Sequence, residues 1–99
     1  MRLVHCKKEN YDVYIGRPGK WGNPYTLDNY TREEAIELYR KYLWSQIKSG
    51  KITIDDLKQL QGKTLGCWCS PLPCHGEVII SAVKWATKNQ PPEPVQLPN

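Results

Sequence analysis

The stretch Lys63-Thr64-Leu65-Gly66-Cys67-Trp68-Cys69-Ser70-Pro71-Leu72-Pro73-Cys74-His75-Gly76-Glu77 decides how this chain folds. Its first six residues read as a β-strand bounded by polar residues. Two prolines, Pro71 and Pro73, interrupt any regular structure after it. A helix then opens near Cys74 or His75, and Val78, Ile79, Ala82, Val83 and Ala86 give it a continuous apolar face. Strand, proline loop and helix in succession form one step of an α/β fold.

Working upstream, Thr31-Arg32-Glu33-Glu34 is a capping box, with Thr31 as N-cap and Glu34 reaching back to it. The helix it opens runs to about Ser49 and stops at Gly50. Ile36, Tyr39, Leu43 and Ile47 form its apolar stripe. A shorter helix starts at Thr53, with Asp55 and Asp56 in its first turn, where the macrodipole favours anions. Residues 2–8 and 12–16 read as strands separated by the polar break Glu9-Asn10-Tyr11, which predicts an antiparallel hairpin. Residues 17–29 form a loop rich in Gly, Pro and Asn. The last eleven residues hold four prolines, which predicts a flexible or polyproline tail over 89–99. The expected fold is therefore a small α/β single domain over residues 1–88, a two-layer or three-layer sandwich with the order β-β-α-α-β-α and a short mixed sheet. If the second and third strands lie parallel, the loops that follow them leave at the same sheet edge, where α/β folds bind ligands. That places the 16–25 loop beside the cysteines.

Bulk properties narrow the partners. Of the 99 residues, 39% are hydrophobic and 24% are charged, an ordinary soluble composition. The net charge of +4 is mild but suits a polyanionic ligand. It is also local: residues 1–21 carry Arg2, Lys7, Lys8, Arg17 and Lys20 against Glu9 and Asp12. No apolar run is long enough to span a bilayer and no signal peptide is evident, so no membrane association is expected and the protein is expected to be cytoplasmic. Cysteines there stay reduced or hold metal.

Two constellations carry chemistry. In Gly16-Arg17-Pro18-Gly19-Lys20-Trp21-Gly22-Asn23-Pro24-Tyr25, Arg17 and Lys20 supply cations for phosphate, and Trp21 and Tyr25 supply faces for a base. Asn23 can present its amide to a substrate edge. The same loop also reads as a rigid turn whose Trp fills the core; two cations set between glycines favour ligand binding.

In the second constellation, three of the four cysteines and one of the two histidines fall within nine residues. Cys67, Cys69, Cys74 and His75 are candidate ligands, with zinc the metal they suit and an iron–sulfur cluster fitting the spacing less well. Cys74 and His75 are adjacent, so a three-ligand subset with an open position is the more workable arrangement, and His5 or Cys6 can complete it. Without metal, Cys74 is a candidate nucleophile whose pKa a helix N-terminus lowers, with His75 and Glu77 as acid or base. Buried structural thiols are the plainer reading.

Val-Tyr-Ile-Gly-Arg-Pro-x-Lys-Trp-Gly-Asn-Pro-Tyr, followed by Leu-Gly-Cys-Trp-Cys-x-Pro-x-x-Cys-His-Gly-Glu-Val, resembles a small domain-of-unknown-function family of bacteriophages and bacteria over roughly residues 10–85. The resemblance implies a compact cytosolic domain, often phage-encoded, and one site built from both motifs; it brings no established activity. The leading expectation is an enzyme acting on a nucleotide, nucleoside or nucleic-acid base through a metal or Cys74. The alternatives are a zinc-stabilised, non-enzymatic module that binds nucleic acid or a host protein, and a redox role for the thiols.

Overall fold

A computed structural model describes residues 1–69 and 72–88. The expected tail over 89–99 lies outside the described residues, as do Ser70 and Pro71. The elements run β1 (Arg2–His5), β2 (Val13–Tyr14), α1 (Arg32–Ser49), α2 (Ile54–Lys58), β3 (Thr64–Cys67) and α3 (Gly76–Lys88).

Local chemistry accounts for the helices. Thr31 accepts a hydrogen bond from the Glu34 backbone at 3.1 Å, and its own N–H donates to the Glu34 carboxylate at 2.9 Å. Thr53 and Asp56 repeat this arrangement at the start of α2. Gly50 closes α1 with φ of 84°, a left-handed conformation that glycine adopts without a Cβ clash.

The three strands form one sheet in the order β1-β3-β2, and both pairings are parallel. This corrects the antiparallel hairpin and the mixed sheet. Residues 6–12 do not make a tight turn between β1 and β2. They carry the chain across the outer face of β3, with the ring of Tyr11 lying on Gly66. The Asp12 carboxylate then accepts from the Thr64 N–H at 2.8 Å and starts β2 on the far side of β3. A polar break in the sequence serves a crossing as well as it serves a hairpin.

Side chains alternate across the sheet. Leu65, Cys67 and Ile15 face the helices and share a core with Tyr39, Leu43, Leu57, Val78, Ile79 and Val83. Val4, Tyr14 and Gly66, in register with one another, point to the other face. Helix α3 packs on both α1 and α2, so the helices form one layer over one sheet face. At their margin Trp44 and Trp85 meet edge to face at 4.9 Å, with Trp85 half-buried against the core. Ala35 is buried on α1, whereas Ile36 and Ile47 of the expected stripe are only half-buried.

The capping boxes stabilise the helix starts by a predictable amount. Thr31→Ala should lower stability by about 1 kcal/mol. Urea denaturation should show this as a lower midpoint with an unchanged slope.

Candidate functional site

The carboxyl ends of β2 and β3 lie side by side, and both motifs leave from them. After Tyr14 the chain enters the 15–25 loop; after Cys67 it enters the cysteine loop, which ends where α3 begins. A buried side chain joins the two. His75 donates from Nε2 to the Ile15 carbonyl at 2.7 Å, across 60 residues of sequence. A carbonyl can only accept, so this bond fixes the proton on Nε2. Gly76 is needed beside it, because a Cβ there would run into the Leu3 side chain and lie 3.0 Å from Ile15 Cδ1.

The rest of the loop is pinned in the same way. The Tyr39 ring stands edge-on to His75 at 4.8 Å, and its hydroxyl donates to the Trp21 carbonyl at 2.9 Å. The Asn23 amide donates to the Ala35 carbonyl at 3.1 Å, and its oxygen accepts from the Tyr25 N–H at 2.9 Å. Asn23 thus commits one donor and one acceptor of its amide to the fold. Arg17 Nη1 reaches across the loop to the Asn23 carbonyl at 2.9 Å.

Between the loops is an open cleft with a cavity volume of about 120 Å³. Arg17, Asn23 and Tyr25 line one wall, and Trp68, Cys69, Cys74 and His75 line the other. The first turns of α1 close it with Arg32, Ala35 and Ile36. Arg32 Nη1 donates to the Pro73 carbonyl at 3.1 Å, bracing the cysteine loop. No carboxylate of the described residues lines the cleft.

Several expected residues are elsewhere. Trp21 is 7% exposed and belongs to the core, so it offers no face to a base. Lys20 forms an ion pair with Asp56 at 2.8 Å, and that ammonium holds the Asp56 carboxyl below its ordinary range. Both residues border a separate depression near α2. Glu77 is exposed on the first turn of α3 and does not line the cleft. Arg32 and Trp68, which the sequence reading did not single out as ligand groups, do line it. In the sequence Arg32 sits within the capping box and Trp68 between two cysteines, and neither context signals a ligand role.

The thiol chemistry runs opposite to the expectation from the helix start. Cys74 is 2% exposed. Burial pushes its thiol up to about 12, outweighing the Gly76 N–H that donates to Sγ at 3.3 Å. The neighbouring Cys67 acts in the same raising direction, with its sulfur 3.5 Å away. Cys74 is therefore a protonated thiol at neutral pH. Burial likewise lowers the pKa of His75, although the carbonyls of Ile15 and Trp21 favour its charged form. The four candidate metal ligands do not converge: His75 turns to Ile15, and no group of three His, Cys, Asp or Glu side chains among the described residues is arranged around one point. His5 accepts from the Lys7 N–H at 3.1 Å, and Cys6 borders the outer face of the sheet.

Comparison with known proteins places the chain in a wider group. The family model described as a domain of unknown function (DUF4326) matches residues 2–85. The chain is also similar to an uncharacterized 12.4 kDa protein of the nrdA-td intergenic region in Enterobacteria phage T4. Identity is 46% over 82 residues, which cover 83% of this chain and 76% of that protein. No solved structure matches. No helix among the described residues is long and apolar enough to cross a membrane.

The depressed pKa of His75 makes stability depend on pH. The unfolded chain takes up a proton near the ordinary histidine value of 6.5, and the folded chain does so only at lower pH. Stability is thus complete above that value and falls as the pH drops below it. Urea midpoints at about pH 7.5 and about pH 5.5 should differ more for the wild type than for His75→Gln. His75→Ala should cost about 3 kcal/mol, because it opens a cavity and leaves the Ile15 carbonyl without its donor.

Proposed function

This chain belongs to the DUF4326 family, a family of unknown function, and we propose that its cleft binds a nucleotide. One observation carries the reading. Two guanidinium groups, Arg17 from the first motif and Arg32 from the start of α1, border a mainly apolar cleft that no carboxylate of the described residues lines. Guanidinium forks match phosphate oxygens. The rings of Tyr25 and Trp68 give a planar base apolar surface on opposite walls. The position agrees with the general tendency of α/β folds to bind ligands at the carboxyl ends of parallel strands.

The same geometry supports binding ahead of thiolate catalysis. Cys74 is protonated and His75 is held by the fold. Cys69, half-buried on the cleft wall, is the thiol set to meet a ligand. Calorimetric titration with nucleoside monophosphates should give saturable binding. Arg32→Ala should weaken it about tenfold, the loss of one charge-assisted contact. Absence of binding by any of the four common bases, or binding indifferent to both Arg17→Ala and Arg32→Ala, would overturn the reading.

A zinc-stabilised module remains the second reading because of one distance. The sulfurs of Cys67 and Cys74 are 3.5 Å apart. Two thiolates on one tetrahedral zinc, each at about 2.3 Å, stand nearly as close. Elemental analysis of protein purified without added metal separates the readings. One zinc per chain, with loss of fold on chelation, supports the module; folded, metal-free protein removes it.

A further inference from the structure

We propose that the outer face of the sheet is a stacking platform for single-stranded nucleic acid, and that the bound strand continues from it into the cleft. The nucleotide reading of the cleft is needed only for the second half of this statement; the platform stands on its own observations.

The helices cover one sheet face, and the other carries aromatic rings. Tyr11 lies on Gly66 and stays 42% exposed; Trp68, just past β3, is 54% exposed. Tyr14 lies 6.2 Å from Tyr11, ring to ring. Such faces in water gain from a planar ring laid on them, and every base has one. The rings are also held in place. Trp68 donates from Nε1 to the Tyr14 hydroxyl at 2.7 Å, and that hydroxyl donates to the Arg17 carbonyl at 3.1 Å. Little side-chain freedom is left to lose when a base arrives.

Charge complements the rings. Lys7 Nζ sits 5.5 Å from the centre of the Trp68 ring. The two acids of this region are occupied, Glu9 by Arg2 at 3.0 Å and Asp12 by the Thr64 N–H. Lys7, Lys8 and Arg17 have no ion-pair partner among the described residues. They are cations left for phosphates.

Trp68 makes the platform and the cleft continuous, for it borders both the depression holding Lys7, Tyr11 and Tyr14 and the cleft holding Arg17 and Arg32. Stacking of this kind requires bases whose faces are free, which a duplex does not offer. The occupant is therefore a single strand.

Fluorescence anisotropy of the full chain tests this with three probes: a labelled single strand of about 12 nucleotides, a duplex of the same length, and a mononucleotide as competitor. The single strand should bind at least about tenfold more tightly than the duplex, and Tyr11→Ala should weaken it several-fold. Lys7→Ala should reduce the salt-dependence slope by about 1. Circular dichroism should report an unchanged fold for both variants, which lie outside the cleft. Equal affinity for duplex and single strand, or indifference to both variants, overturns the platform. Mononucleotide binding that Arg32→Ala weakens, without single-strand preference, overturns it while leaving the cleft reading intact. Single-strand binding that depends on Tyr11 and Lys7 but that neither Arg32→Ala nor mononucleotide competition affects leaves the platform standing and removes its continuation into the cleft.

Discussion

The site depends on the bond from His75 to the Ile15 carbonyl. Its two ends belong to the two motifs, and nothing in the sequence between them requires that they meet. The bond fixes the end of β2 against the start of α3, and the cleft is the space left between the loops on either side. The neighbouring constraints share its logic. Tyr39 leans on the imidazole and ties down the Trp21 carbonyl; Asn23 ties the loop to α1; Arg32 ties the cysteine loop to the same helix. Each is a side chain that satisfies a backbone carbonyl. A loop with little regular structure has carbonyls that no ladder serves, and these need donors when they are buried.

What was legible in the sequence was local. The capping box at Thr31, the helix start at Thr53, the stop at Gly50 and the apolar face of α3 follow from residues a few positions apart, so their physics is complete within a short window. The meeting of the two motifs was also legible, but only through a condition, parallel pairing of β2 and β3, which the sheet meets. The partner of β1 was not legible. Which strand pairs with which depends on where residues 6–12 go, and a polar segment specifies only that it stays near water. Nor does a tryptophan announce whether it is core or surface. Trp21 packs into the core cluster beside the Lys20–Asp56 ion pair, and Trp68 is exposed one residue past Cys67, which takes the inward place on the strand.

The cysteines show how density in a sequence differs from convergence in space. Three thiols and an imidazole within nine residues suggested a shared centre. In the fold the strand and the helix start divide them. Cys67 and Cys74 face each other in the core, Cys69 stands on the cleft wall, and His75 serves the backbone. Burial decides the electrostatics of the pair. The N–H of Gly76 pulls the Cys74 thiol toward ionisation, but removal from water pushes harder the other way.

The strand at the centre of the sheet is the one encoded last. β1 and β2 are not paired with each other; each finds its hydrogen-bonding partner strand in β3. A nascent polypeptide emerging from the ribosome therefore carries two short edges with nothing to join them until residue 67 appears. Sheet, cleft and outer face must then come into being together, once β3 has been made, rather than by stepwise addition of strands.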